Sequence, residues 1–436
     1  MKEEKVPMQA MPPFELRAVK HAFLVSAYRS GSDVELSVDY LHELERLCET
    51  YGLIVVGKVS CPIKKMEAGT FLGIGKLEEL KITATELAAE VVIFDDEISP
   101  HQQRNLEKIF MLPVVDRTEL IIEVFAQRAQ TREARLQIEL AKVRYQFPRL
   151  RRMWTHLSRQ TASAGAGAHL KGEGEKQIEI DRRILRQRTD RLKEEIKQIG
   201  EQRQTQRSLR ERTGIPTFAI VGYTNSGKST LLKALTNAEV LVEDKLFATL
   251  DTTTRKFILP NRQEILLIDT VGFIRKIPHT LVAAFKSTLE EAVHTDILLH
   301  LIDVSHPNAE SQAEATMLVL KELGAEDRPI ITVLNKMDQC QNPAILAKFR
   351  IKYPKTVCIA AIDGTGFDLL LDQMMKEISL LRKVVQARIP QSHYVLVSEL
   401  MREGRVISCE YEENDILIKV EIPARLEHKV KPFLIS

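Results

Sequence analysis

Apolar and polar positions change rhythm several times along the chain. Near its start, short apolar runs alternate with amphipathic stretches. Ala22-Phe-Leu-Val-Ser26, Leu53-Ile-Val-Val-Gly57 and Val91-Val-Ile-Phe94 read as strands. Val34 to Tyr51 has the spacing of an amphipathic helix, and Gly73-Ile-Gly75 opens another through Leu80. This alternation predicts a small α/β domain with a parallel sheet, ending near Val115. From Arg117 to about Arg212 the pattern becomes helical and rich in Arg, Lys, Glu and Gln, over about 118–148 and 175–212. The glycines of Ser163–Gly174 mark a loop between these stretches, so an antiparallel hairpin is expected. Ile178, Leu185, Leu192, Ile196 and Ile199 would suit the seam of a plain coiled coil. Strands and helices alternate again from Pro216 to about Leu380. The remainder carries strand-like runs at Tyr394-Val-Leu-Val-Ser398 and Ile416-Leu-Ile-Lys-Val420.

The expected fold class is therefore α/β, in five segments. Residues 1–20 are expected to be a polar, flexible N-terminus; 21–116 an α/β domain; 117–212 the hairpin; 213–383, which holds the G-x-x-x-x-G-K-[ST] run Gly222–Ser229, a Ras-like P-loop domain; and 384–436 a small α+β domain. Composition narrows the class of protein. The chain has 436 residues, 44% of them hydrophobic, enough to bury sizeable cores. Its five cysteines, Cys48, Cys61, Cys340, Cys358 and Cys409, form no CxxC pair, which argues against zinc and disulfides and for reduced thiols. No signal-peptide core and no apolar run of ~20 residues stand in the sequence, so a cytoplasmic protein without a membrane span is expected. A net charge of +2 decides nothing about nucleic acid.

The candidate chemistry lies in the Ras-like segment. Phe218-Ala-Ile-Val221 reads as a buried strand, a helix is expected from Thr230, and between them Gly222-Tyr-Thr-Asn-Ser-Gly-Lys-Ser229 fits G-x-x-x-x-G-K-[ST]. That context makes Gly222, Tyr223, Thr224, Asn225, Ser226, Gly227, Lys228, Ser229 and Thr230 a phosphate cradle. Lys228 would meet the β- and γ-phosphates, and the Ser229 hydroxyl would bind Mg²⁺. Glu264-Ile-Leu-Leu-Ile268 leads into Asp269, Thr270, Val271 and Gly272, 41 residues beyond Lys228. Asp269 can hold Mg²⁺ through its water shell, and the Gly272 N–H can sense the γ-phosphate. Ile330-Ile-Thr-Val-Leu334 leads into Asn335, Lys336, Met337 and Asp338. The Asp338 carboxylate can accept from guanine N1–H and its amino group, a donor pair adenine lacks; Asn335 would reach the opposite edge, and the Lys336 stem would cover the base.

Two weaker elements complete the set. Phe247, Ala248, Thr249, Leu250 and Asp251 stand where a first switch should lie, with Thr249 as second Mg²⁺ ligand in competition with Thr252, Thr253 and Thr254. Ala360, Ala361 and Ile362 occupy the place of the last base-contacting loop, where Ala360 lacks the usual serine hydroxyl. No catalytic side chain is assigned: Phe273 stands where Ras-like proteins carry a water-orienting Gln, so unaided hydrolysis should be slow. Either K⁺ held with the help of Asn225 or a group from a partner would complete the site; Asn225 acting only within its loop is the equal alternative.

Longer strings are more specific. Phe71-Leu-Gly-Ile-Gly-Lys76, Ile98-Ser-Pro-His-Gln-Gln-Arg-Asn105, Val115-Asp-Arg-Thr118, Phe125-Ala-Gln-Arg-Ala129, Gly172-Glu-Gly-Glu175 with Asp181-Arg-Arg183, Phe247-Ala-Thr-Leu-Asp251 and Asp269-Thr-Val-Gly-Phe273 make the chain resemble the HflX family of translation-associated GTPases over nearly its whole length. Two departures are Thr252, where the family usually has Pro, and Gly167–Glu175, which lacks the usual Arg and Pro of the hairpin loop. The resemblance implies GTP/GDP and Mg²⁺ as ligands, binding to rRNA and proteins of the large (50S) ribosomal subunit, GTP-dependent ribosome splitting, and hydrolysis stimulated by the ribosome. A monomer that binds no DNA and is at most peripheral to membranes is expected. Arg144, Arg149, Arg151, Arg152 and Arg159, with Tyr145, Phe147, Trp154 and His156, independently offer an RNA-like surface, against the plainer reading of a solvated helix end. A switch acting on a protein effector and a large-subunit assembly factor are the rival functions.

Overall fold

The computed structural model describes residues 16, 19–29, 34–162, 171–213, 215–236, 246–247, 249–250, 252–276, 293–325, 327–340, 342–412, 414–423 and 426–435. Ala248, Asp251 and most of the polar N-terminus and hairpin loop lie outside them. The chain forms two compact units, residues 1–129 with 135–192 and residues 130–134 with 193–436.

In the first unit, β1 (His21–Tyr28), β2 (Ile54–Pro62), β3 (Val91–Phe94) and β4 (Val114–Asp116) form a parallel sheet in the order β2-β1-β3-β4. Parallel strands need covered faces. Helices α2 (Ile74–Glu86) and α3 (Pro100–Phe110) bury Leu77, Leu80, Leu106 and Phe110 against Phe23, Val25, Val92 and Phe94. Helix α1 (Val34–Tyr51) lies against β1 and β2 and packs on α4 (Arg117–Arg128). The Ser99 hydroxyl and Gln102 make a reciprocal cap at the start of α3, and Asp116 caps α4 through Glu119 N–H at 2.9 Å.

The helix expected over 118–148 is broken. It stops at Ala129, and α5 (Arg132–Ala162) starts afresh, its first turn capped by the Thr131 hydroxyl, which accepts from Ala134 N–H at 3.2 Å. The hairpin therefore begins at Arg132, and α4 belongs to the N-terminal layer. Helix α6 (Lys171–Thr213) runs antiparallel to α5: Glu195 meets Arg132, Glu139 meets Arg188 and Glu133 meets Arg203. Leu192 is buried, with Leu185, Ile196 and Ile199 half-buried along the same seam.

The second unit holds a six-stranded sheet, order β10-β9-β8-β5-β7-β6. Its strands are β5 (Thr217–Gly222), β6 (Thr253–Ile258), β7 (Glu264–Asp269), β8 (Ile297–Asp303), β9 (Ile330–Asn335) and β10 (Thr356–Cys358); only β6 is antiparallel to its neighbour. Helices α7 (Lys228–Thr236), α8 (Ala309–Glu322), α9 (Pro343–Lys352) and α10 (Phe367–Leu381) cover it. The core on the α7 and α10 side includes Phe218, Ile220, Leu231, Leu299, Val333 and Met374. The expected motifs at 222–230, 269–272, 335–338 and 360–362 follow the carboxyl ends of β5, β7, β9 and β10, where open parallel sheets bind ligands, while the segment at 247–251 precedes β6.

A separate antiparallel sheet, order β11-β13-β12, closes the chain: β11 (Arg382–Pro390), β12 (Arg405–Glu412) and β13 (Asp415–Pro423). It starts two residues before the expected boundary at 384. The run at 394–398, expected as a strand, is helix α11 (Tyr394–Glu403). Val397 and Leu400, three apart, are its buried residues, and they pack on Ile416, Ile418 and Val420. Five residues were too few to separate the two periods. The run at 416–420 lies in β13, as expected.

Candidate functional site

The phosphate loop is shaped by contacts only glycine permits. Gly227 has φ +94°, and a Cβ there would lie 2.3 Å from Asn335 Nδ2. Asn225 takes the left-handed conformation at φ 61°, and Thr230 lies in the first turn of α7. Lys228 is buried and folds its ammonium back onto the loop, donating to the carbonyls of Tyr223 at 2.8 Å and Gly222 at 3.2 Å. Burial pushes its pKa down to about 8, with the nearby Asp269 charge pulling upward.

Beside the lysine, three oxygens from three elements converge. The Ser229 hydroxyl, at the start of α7, donates to Asp269 Oδ2 at 2.7 Å and lies 2.8 Å from the Thr249 hydroxyl; Thr249 donates to the same carboxylate oxygen at 3.2 Å. Thr253 and Thr254, rival candidates for the second hydroxyl, are instead paired into β6 opposite Asp269 and Ile268. The described neighbours of Thr249 in this segment, Phe247 and Leu250, are buried. Asp269 is buried, which raises its pKa, while Lys228 and the two hydroxyls pull it down. Its Oδ1, with Thr224 Oγ1 and Ser226 Oγ, is buried without a hydrogen-bond partner among the described residues. Buried polar atoms are rarely left so. This set of hydroxyl and carboxylate oxygens fits a hard divalent cation and phosphate oxygens.

The segment after Asp269 is fastened to the phosphate loop. The Thr270 hydroxyl donates to the Ile220 carbonyl at 2.7 Å. Val271 is buried, and a Cβ on Gly272 would lie 2.9 Å from Thr224 Cα and 3.0 Å from Lys228 Nζ. The Phe273 N–H donates to the Gly222 carbonyl and its own carbonyl accepts from Thr224 N–H, at 3.0 and 2.7 Å. The Phe273 ring is buried.

Across the sheet, Asn335 is a strut. Its Nδ2 donates to the Ser226 carbonyl at 2.8 Å, and its Oδ1 accepts from Ala361 N–H at 3.0 Å. It thus joins the phosphate loop to the last loop, a role beyond the base edge expected of it. Lys336 is left-handed at φ 61°, with its ammonium 2.6 Å from Asp303 Oδ2. Met337 N–H donates to the Ile359 carbonyl, and the Asp338 carboxylate stands exposed. Ala360 and Ala361 are buried and Ile362 is exposed. Ala360 N–H donates to the Thr365 carbonyl, and Gly366, at φ +80°, packs where a Cβ would lie 2.2 Å from the Cys358 carbonyl.

Sequence reasoning missed Asp303, Gly366 and the Tyr223 hydroxyl, which accepts from the Arg275 N–H at 2.8 Å. Asp303 ends a strand just as Asp269 does, and that was its one legible signal. Gly366 and Tyr223 act through contacts that no local spacing records. Two residues of the expected RNA surface belong to the interior instead. Tyr145 is buried, and Arg149 stacks 3.4 Å over its ring while pairing with Asp116 at 3.0 Å. The side chains of Arg151, Arg152, Trp154, His156 and Arg159 lie outside the described residues.

Three families match in succession: GTP-binding GTPase N-terminal over residues 38–126, GTP-binding GTPase Middle Region over 128–210, and 50S ribosome-binding GTPase over 217–336. A GTPase HflX of Chlamydia pneumoniae is 47% identical over 414 residues, covering 95% of this chain and 88% of the relative. One of Akkermansia muciniphila is 43% identical over 433 residues, covering 97% and 99%. The chain belongs to the HflX GTPase family. It has the P-loop GTPase fold, binds guanine nucleotide and hydrolyses GTP. A GTP-binding protein of Sulfolobus solfataricus solved with GDP is 25% identical, covering 83% of this HflX chain and 100% of that one, at TM-score 0.44. Among the described residues of this HflX protein, no helix is long and apolar enough to cross a membrane.

Proposed function

We propose that this HflX protein is a cytoplasmic GTP-dependent switch that docks on the large ribosomal subunit and promotes ribosome splitting. Residues 222–230 hold the phosphates, Ser229 and Thr249 ligate Mg²⁺ with Asp269 behind its water shell, and the Gly272 N–H reads the γ-phosphate. Asp338 selects guanine, backed by Asn335, Lys336 and the loop at 360–362. The observation that carries this is the meeting of Ser229, Thr249 and Asp269 beside the Lys228 ammonium, with the Asp269 Oδ1 buried and unpartnered among the described residues. When bound, Mg²⁺ would neutralise charge developing between the β- and γ-phosphates. Lys228 orients the same oxygens, and the buried Phe273 supplies no hydrogen bond to the attacking water. The missing group is supplied by K⁺ near Asn225 or by the ribosome.

The ribosomal part is supported by the name of the family matching residues 217–336, which is described as binding 50S ribosomes. A five-segment division, with the hairpin starting at Arg132 and the last domain at Arg382, is part of the proposal, as are the monomeric state and the absence of DNA binding. The test is sedimentation of the purified chain with 50S subunits, with and without a non-hydrolysable GTP analogue. Analogue-dependent co-sedimentation that weakens steeply with salt is expected. Salt-insensitive binding would favour a protein effector, and binding to immature particles alone would favour the assembly reading.

A further inference from the structure

Besides the Thr270 hydroxyl bond to Ile220 of β5, three hydrogen bonds fasten the segment that would read the γ-phosphate to the phosphate loop. Two are backbone to backbone, joining Phe273 to Gly222 and to Thr224 at 3.0 and 2.7 Å. Any sequence could make them. The third needs one particular side chain: the Tyr223 hydroxyl accepts from the Arg275 N–H at 2.8 Å. Tyr223 is only 6% exposed, and it pairs with Phe273 in a parallel bridge. Its own carbonyl also accepts from the Lys228 ammonium at 2.8 Å. One residue therefore touches the cation that meets the phosphates and the backbone just past Gly272. With this fastening in place, Gly272 lies against Thr224 and the Lys228 ammonium, so close that a Cβ would come within 3.0 Å of that nitrogen.

We propose that Tyr223 is a positioning residue that holds the γ-phosphate sensor preformed. Its hydroxyl fixes the Arg275 amide and so keeps the Gly272 N–H beside Lys228. A terminal phosphate then meets an amide already in place, and less ordering accompanies its binding. The α- and β-phosphates meet the loop of residues 222–230 itself and depend less on the Tyr223 hydroxyl than the γ-phosphate does. Tyr223 thereby sets the preference for triphosphate over diphosphate, an inference that rests on the nucleotide site proposed above.

Tyr223→Phe keeps the ring and deletes the acceptor. The expected result is a loss of about fivefold in affinity for a non-hydrolysable GTP analogue, the scale of one hydrogen bond, with a clearly smaller loss for GDP and the thermal midpoint near that of the wild type. Hydrogen exchange supplies the second reading. The Arg275 amide should be protected in the wild-type protein and exchange faster in the variant. Equal losses for both nucleotides, no loss for either, or an unprotected Arg275 amide in the wild type would overturn the proposal. Wild-type protein that binds neither nucleotide would instead defeat the site assignment beneath it.

Discussion

Two buried charge clusters in this chain are built on opposite plans. In the N-terminal layer, Arg117 is 1% exposed and pairs with Asp95 at 2.9 Å and with Glu43, while Arg149 and the Tyr145 hydroxyl, at 3.0 and 2.9 Å, engage Asp116. Cations and hydrogen bonds there answer the carboxylates from within the chain. In the nucleotide site, Lys228 and Asp269 are as deeply buried, yet Asp269 Oδ1, Thr224 Oγ1 and Ser226 Oγ have no partner among the described residues. The first cluster is complete and holds a fold together. The second keeps polar atoms unanswered among the described residues, which the nucleotide and Mg²⁺ proposed above would meet. Burial of charge alone therefore does not mark a functional site; unanswered polar atoms beside it do.

The comparison breaks first at Arg117. Arg117→Ala removes the buried cation that pairs with both Asp95 and Glu43, and should lower unfolding stability by roughly 3–5 kcal/mol in a denaturant titration. A loss below ~1 kcal/mol would mean the network is not what closes the N-terminal layer.

Lys228→Ala should act on binding instead, reducing guanine-nucleotide affinity at least about a hundredfold and changing stability less than Arg117→Ala does. The same lysine gives a smaller, pH-dependent effect. Burial holds its pKa at about 8, against 10.5 ordinarily, and the charge of a bound phosphate would raise it. Binding then takes up a proton above pH 8. Affinity should be level with respect to this group below that pH, and should fall by up to about tenfold per unit as pH rises above it. A wild-type affinity flat to pH 9.5 would contradict a desolvated Lys228 in contact with phosphate.

The two clusters also differ in how far they could be read in advance. The nucleotide loops were legible because strand, loop and helix are contiguous there. Gly222 to Ser229 is a single local motif, and Asp269 and Asn335 each end an apolar run. The Arg117 and Arg149 network was illegible, because its partners Glu43, Asp95 and Asp116 come from separate elements. Arg149 was grouped with neighbouring arginines as a surface residue, yet the rotation of α5 turns it onto Asp116. The competition between Thr249 and Thr252–Thr254 could not be resolved from spacing. In the fold Thr253 and Thr254 pair into β6, while the Thr249 hydroxyl is hydrogen-bonded to Ser229 and Asp269. The mistaken strand at 394–398 shows the same limit: a short apolar run carries no period until a sheet or helix is laid beneath it.

Which base and which phosphates this second cluster accepts is tested most directly by calorimetric titration of Mg²⁺ with non-hydrolysable GTP and ATP analogues into the wild type and Asp338→Asn. We expect heat with the guanine analogue alone in the wild type, and guanine affinity reduced about tenfold or more in the variant, as for a lost pair of charge-assisted hydrogen bonds. Equal heats with both analogues in the wild type, or unaltered discrimination in Asp338→Asn, would contradict the role given to Asp338.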